Sequence, residues 1–106
     1  MVANRRAQLE ALVQANPDHA FARYGLAMEL AGAGERDAAL GHFKILQAKN
    51  PDYAAAYQQA GQLLMRLERT EEARAVLQRG LEAARRSGDG HAGSEMQALL
   101  DEIGGA

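Results

Sequence analysis

The chain has 106 residues, 47% of them hydrophobic and 25% charged, with a formal net charge of −2. That balance excludes a disordered polar tail and provides no global attraction to nucleic acid or an anionic membrane. With no cysteine in the chain, disulfides, cysteine-based zinc sites and thiol catalysis are excluded together.

The amino end, Met1-Val2-Ala3-Asn4-Arg5-Arg6, is basic but has no apolar stretch behind it. Gln8, Glu10, Gln14 and Asn16 interrupt the segment after the two arginines, so no signal peptide is expected. No apolar run approaches the ~20 residues of a bilayer span. The expected location is the cytoplasm, with no membrane partner. The β-branched residues are Val2, Val13, Ile45, Thr70, Val76 and Ile103, too few for a sheet protein. Ala, Leu, Arg, Glu and Gln, all good helix formers, dominate instead.

A first helix is predicted over 4–15, through Leu9, Leu12 and Val13. Asn16-Pro17-Asp18-His19-Ala20 comes next, and it recurs as Asn50-Pro51-Asp52-Tyr53-Ala54, 34 residues later. A fixed period of this size marks a stacked repeat architecture. Within the first period, 18–33 carries Phe21, Tyr24, Leu26, Ala27, Met28 and Leu30 at helical spacing. Gly32-Ala33-Gly34 stops it. A second helix over 37–49 carries Ala38, Leu40, Phe43, Ile45, Leu46 and Ala48. It ends at Asn50-Pro51, because the residue before proline avoids helical ψ. Asp52 is placed to cap the next helix.

The second period repeats the pattern. Segment 52–67 shows Tyr57, Ala60, Gly61, Leu63, Leu64 and Leu67. After Glu68-Arg69, Thr70 is the expected N-cap of a helix over 71–86 with Ala73, Val76, Leu77, Gly80, Leu81 and Ala84. Glu82 and Arg86 form an expected i,i+4 pair. Beyond the Ser87-Gly88-Asp89-Gly90 loop, 91–103 reads as a last helix through Met96, Leu99, Leu100 and Ile103, with Ser94 and Gln97 as a capping box. The predicted organisation is one all-α domain over 1–106. It has a flanking helix at 4–15, repeats at 18–49 and 52–86, and a capping helix at 91–103, about six helices in all.

These residues resemble the tetratricopeptide repeat, in a small bacterial-type form. That motif calls for Leu, then Gly or Ala, then Tyr in its first helix, Ala and an aromatic in its second, and Pro at the close. Leu26-Ala27, Leu30, Gly34, Ala39, Phe43 and Pro51 fill these places in repeat one. Ala60-Gly61, Leu64, Ala73 and Leu77 fill them in repeat two. Arg23 and Tyr57 stand in the Trp position. Arg23 departs from the pattern, as do Glu68 at the turn glycine and Arg85 at the second proline. The resemblance implies a right-handed array of antiparallel helix pairs. It assigns structural roles to Leu26, Ala27, Ala39, Phe43, Pro51, Tyr57, Gly61 and Ala73. Small residues such as Gly61 would stand where helices approach closest, since a glycine inside a helix costs ~1 kcal/mol without such a reason.

The resemblance also turns the first helices toward a concave groove. It places Phe21, Tyr24 and Met28 there from repeat one, and Gln58, Gln59, Gln62, Met65 and Arg66 from repeat two. Phe21, Tyr24 and Met28 share one stripe. The competing reading is that this stripe packs on the N-terminal helix. Rigid aromatics with adaptable Met and Gln suit a peptide-binding surface. Chaperone-binding members clamp a carboxylate with Lys, Asn and Arg at these positions; here Arg66 stands alone, so no such clamp is expected.

Candidates for chemistry are few. His19, His42 and His91 lack any metal-ligand spacing and read as surface or boundary residues. Ser94 near His91 lacks an orienting acid and an oxyanion hole. The glycines form no phosphate loop. Arg66, Arg69, Arg74, Arg79, Arg85 and Arg86 cluster, but Glu68, Glu71, Glu72 and Glu82 interleave, as on a solvated face. No catalysis, metal, cofactor or nucleic-acid partner is expected. The expected function is protein–protein interaction, by capture of a peptide or helix in the groove. The alternative is homo-oligomerisation, as a homodimer, through the same apolar face.

Overall fold

The computed structural model describes residues 4–104. Among them are six helices and no strand: α1 (Arg5–Ala15), α2 (Ala20–Gly32), α3 (Arg36–Lys49), α4 (Ala54–Arg66), α5 (Thr70–Ser87) and α6 (Gly90–Ile103). They fall into two compact units, one ending at Lys49 and the other starting at Asn50.

In the first unit α2 packs against both α1 and α3. Leu9 and Val13 of α1, Ala22, Leu26, Ala27 and Leu30 of α2, and Ala39, Leu40, Phe43 and Leu46 of α3 are buried. Phe43, 1% exposed, contributes the largest apolar burial here, about 3 kcal/mol. Gly25 sits where α1 comes closest: a Cβ built there would lie 3.2 Å from a Leu9 methyl.

In the second unit α4, α5 and α6 pack on one another. Ala54, Tyr57, Leu77, Ala83, Ala84, Ala92, Met96 and Leu100 form a contiguous buried cluster. Two helical glycines make the close approach possible. A Cβ on Gly61 would fall 2.5 Å from Leu77 Cδ2, and one on Gly80 would fall 2.7 Å from Tyr57 Cβ and against Met96 Sδ. Ala73, also on α5, is buried with no exposed surface.

Three helices stop in the same way. Glu35 N–H donates to the Leu30 carbonyl and Gly34 N–H to Ala31, at 2.9 and 3.1 Å. Arg69 and Glu68 donate to Leu64 and Met65 at 2.9 and 3.0 Å, and Asp89 and Gly88 to Ala84 and Arg85 at 2.8 and 3.3 Å. These paired bonds define the Schellman cap, whose pivotal residue takes a left-handed backbone. Gly34 (φ +83°), Glu68 (φ +58°) and Gly88 (φ +72°) all do so. Glu68 thus keeps the turn although it is not glycine.

The helix starts differ from the expected caps. Asp52 does not cap α4: Tyr53 is the N-cap residue and makes no side-chain cap bond. The Asp52 carboxylate accepts from Arg86 Nε at 2.5 Å instead. That ion pair takes Arg86 away from Glu82, which accepts from Arg85. Thr70 is the first residue of α5, with Arg69 before it as N-cap. No Ser94–Gln97 capping box forms, because α6 starts earlier: Asp89 Oδ1 accepts from Ala92 N–H at 3.0 Å, which leaves Ser94 inside the helix. At α2 the N-cap is His19, whose Nδ1 accepts from Ala22 N–H at 3.2 Å.

Candidate functional site

The helix α2 carries an outward stripe. Phe21 is 74% exposed and Met28 39%. Between them Tyr24, partly buried, meets Phe43 edge to face, with ring centroids 6.2 Å apart. Phe43 fixes the tyrosine while the phenylalanine and methionine face solvent. Beside this stripe, α1 approaches α2 at Gly25 and ties to it through Arg5–Glu29 at 2.8 Å.

On α4, Gln58, Gln59, Gln62 and Met65 are partly buried, and Arg66 is exposed. Gln58 is engaged within its own unit: its Nε2 donates to Glu95 of α6 at 2.7 Å. Tyr57, one residue earlier, is 3% exposed, and the Arg79 guanidinium lies over its ring at 5.4 Å. Pro51 stands exposed in the turn before α4.

One pair of positions shows how each unit closes. Arg23 Nη2 donates to the Pro17 carbonyl at 2.9 Å, and Tyr57 Oη donates to the Pro51 carbonyl at 2.8 Å. Both positions are one repeat apart. A donor long enough to reach back over the first turn is needed there, and two different side chains supply it. Each repeat also ties an aspartate before its first helix to a cation at or just before the end of its second. Lys49 meets Asp18 at 2.6 Å, and Arg86 meets Asp52 at 2.5 Å. The Lys49 hydrogen bond holds the Asp18 carboxyl below its usual range. On α1, Arg6 chelates Glu35, which lowers the Glu35 pKa.

Sequence reasoning missed one cluster. Arg23, 7% exposed, also places Nη1 3.0 Å from His42 Nδ1 on α3. His42 is half-buried, a boundary residue, and it lines an open cavity of about 490 Å³ with Ala7, Glu10, Ala11, Val13, Gln14 and Leu26. The signal was present in the chain: an arginine at a position the motif fills with apolar bulk needs buried acceptors. Among the described residues no three His, Asp or Glu side chains converge on a metal-sized point, and no helix is long and apolar enough to cross a membrane.

Comparison with known proteins adds a relationship to this geometry. A family model described as a tetratricopeptide repeat matches residues 30–100. A solution structure of a tetratricopeptide repeat domain protein from Salinibacter ruber is 34% identical, with a TM-score of 0.79 over 85% of this chain and 91% of that one. A crystal structure of a tetratricopeptide repeat domain protein from the same organism is 35% identical, with a TM-score of 0.76 over 81% and 97%. A solution structure of a protein from Bordetella parapertussis is 29% identical, with a TM-score of 0.80 over 97% and 89%. No curated protein matches the chain.

Proposed function

From the premise that this chain belongs to the tetratricopeptide-repeat family, we propose that it captures a peptide or helix of a partner protein through the first-helix faces of its repeats. The family's fold generally mediates protein–protein interaction, and its members are in general non-catalytic scaffolds. The observation that carries the reading is the α2 stripe. Phe21 and Met28 offer apolar surface to solvent, while Tyr24 is braced from behind by Phe43. A rigid aromatic beside an adaptable thioether suits an apolar side chain of a partner. On α4 the proposed contribution is polar: Gln59 and Gln62 offer amides, Met65 a flexible apolar edge, and Arg66 a cation for an acidic partner residue. Gln58 contributes once its bond to Glu95 is exchanged. A site of this size binds at about micromolar strength, because ordering a flexible peptide offsets much of the contact energy. The setting proposed is cytoplasmic.

Replacing Tyr24 and Met28 together by Ala tests the reading. Capture of partners from extract of the native cell is expected to be lost, with the helical circular dichroism retained. Capture undiminished in the double variant would mean that the partner docks elsewhere, and loss of helicity would mean that the stripe supports the fold. A sedimentation series over concentration covers the homodimer alternative. Self-association abolished by the same substitutions would assign the face to a second copy.

A further inference from the structure

The two units use the same backbone tie but different chemistry. In the second unit the donor is the neutral Tyr57 hydroxyl. In the first it is the guanidinium of Arg23, buried to 7% exposure, and Arg23 shares itself between the Pro17 carbonyl and His42 Nδ1. Arginine only donates and does not lose its proton in proteins. The contact at 3.0 Å is therefore a bond only while His42 Nδ1 carries a lone pair, with the ring proton on Nε2. The geometry requires a neutral imidazole.

Protonation at Nδ1 replaces an acceptor with a donor and sets two cations side by side in a half-buried place. The imidazolium then has somewhere to go. The cavity beside it is bordered on its α1 wall by Glu10, whose carboxylate favours the charged ring, while burial and Arg23 oppose it. Other charges near the pair are already engaged. Arg6 is held chiefly by Glu35 and only at 3.5 Å by Glu10, and Asp18, which lies toward Arg23, is held by Lys49.

We infer that His42 is an acid-released latch: neutral, it locks α2 onto α3 through Arg23, and on protonation it leaves Arg23 for the Glu10 side of the cavity and loosens α2. The neighbouring residues make this matter. Arg23 immediately precedes Tyr24 in α2, and His42 immediately precedes Phe43 in α3. The latch therefore joins the same two helices as the ring contact that braces the exposed stripe. Acidification disorders the α2 face, and neutral pH restores it. This regulatory meaning rests on the proposed partner role of that face; the latch itself does not.

The test uses the full chain without a partner. Proton NMR of the His19, His42 and His91 ring C–H signals, followed from about pH 8 to about pH 5, brackets the ordinary histidine range. Hydrogen exchange, corrected for the intrinsic rate at each pH, is read over the same interval. His42 is expected to titrate below the ordinary histidine value, and α2 and α3 are expected to lose protection as it does so, while α4 and α5 keep theirs. His42→Gln retains an acceptor for Arg23 but does not titrate, and the loss is expected to vanish. Arg23→Tyr copies the neutral tie of the second unit and is expected to do the same, which covers the case of an unfolded His42→Gln. The latch is overturned by His42 titrating at or above the ordinary histidine value, by equal loss in α4 and α5, or by a loss that persists in a folded variant of either kind. If the latch holds and the Tyr24/Met28 double variant still captures its partner, only the functional reading fails.

Discussion

At the scale of single residues, Gly61 and Gly80 show what a missing side chain does. The Leu77 side chain occupies the space beside Gly61 that a Cβ would take, and Tyr57 and Met96 occupy the space beside Gly80. Leu77 is fully buried and has no room to retreat. Gly61→Leu is therefore expected to destabilise the protein by about 3 kcal/mol through overpacking, seen as a lower midpoint in thermal or urea unfolding. An unchanged midpoint would refute the close-approach account. Gly61 was readable in the sequence because a glycine inside a helical pattern calls for a reason. Gly80 was visible only as one more small residue, since nothing in its neighbourhood announces that Tyr57 and Met96 converge on it.

At the scale of elements, the helix ends separate what is local from what is not. Helix stops were legible: Gly34 and Gly88 take left-handed backbone, as a C-terminal glycine should. Starts were less so. Asp52 looks like a cap in sequence, yet Arg86, more than thirty residues away in the chain, claims its carboxylate, as Lys49 claims that of Asp18. Long-range pairing overrides a local preference whose worth is about 1 kcal/mol. The turn after α4 gives the cleanest test. Glu68 holds φ +58°, a region that costs a residue with a Cβ about 1 kcal/mol. Glu68→Gly is expected to recover about that amount, with a higher thermal midpoint. A decrease would mean that the glutamate side chain supports the turn in a way its backbone does not reveal.

At the scale of the whole chain, the six helices and the repeat family followed from one measurement on the sequence, the 34-residue spacing of two Asn-Pro-Asp turns. Periodicity survives because each repeat must bury an apolar face against a neighbour. The Arg23–His42 contact did not survive such reading: its two members sit on different helices and carry no spacing rule. Charge behaves as the interleaved pattern suggested. Arg69, Arg74 and Arg85 pair with Glu72, Glu71 and Glu82 one helical turn away, and Arg86 pairs with Asp52. Nucleic-acid binding is accordingly expected to be weak and lost at moderate salt, since few cations remain to displace counterions from phosphates. Fluorescence anisotropy with labelled RNA and DNA over a salt series checks this. Tight, sequence-dependent, salt-resistant binding would overturn it.

The shared carbonyl tie of Arg23 and Tyr57 bears on how relatives of this chain are recognised. Judged by apolar bulk alone, Arg23 is a mismatch at this position of the repeat. Judged by a donor able to reach the proline carbonyl six residues back, the position is filled twice, at 2.9 and 2.8 Å. Chains with Arg, Tyr or another long donor at that position then group together by what the side chain does rather than by how oily it is.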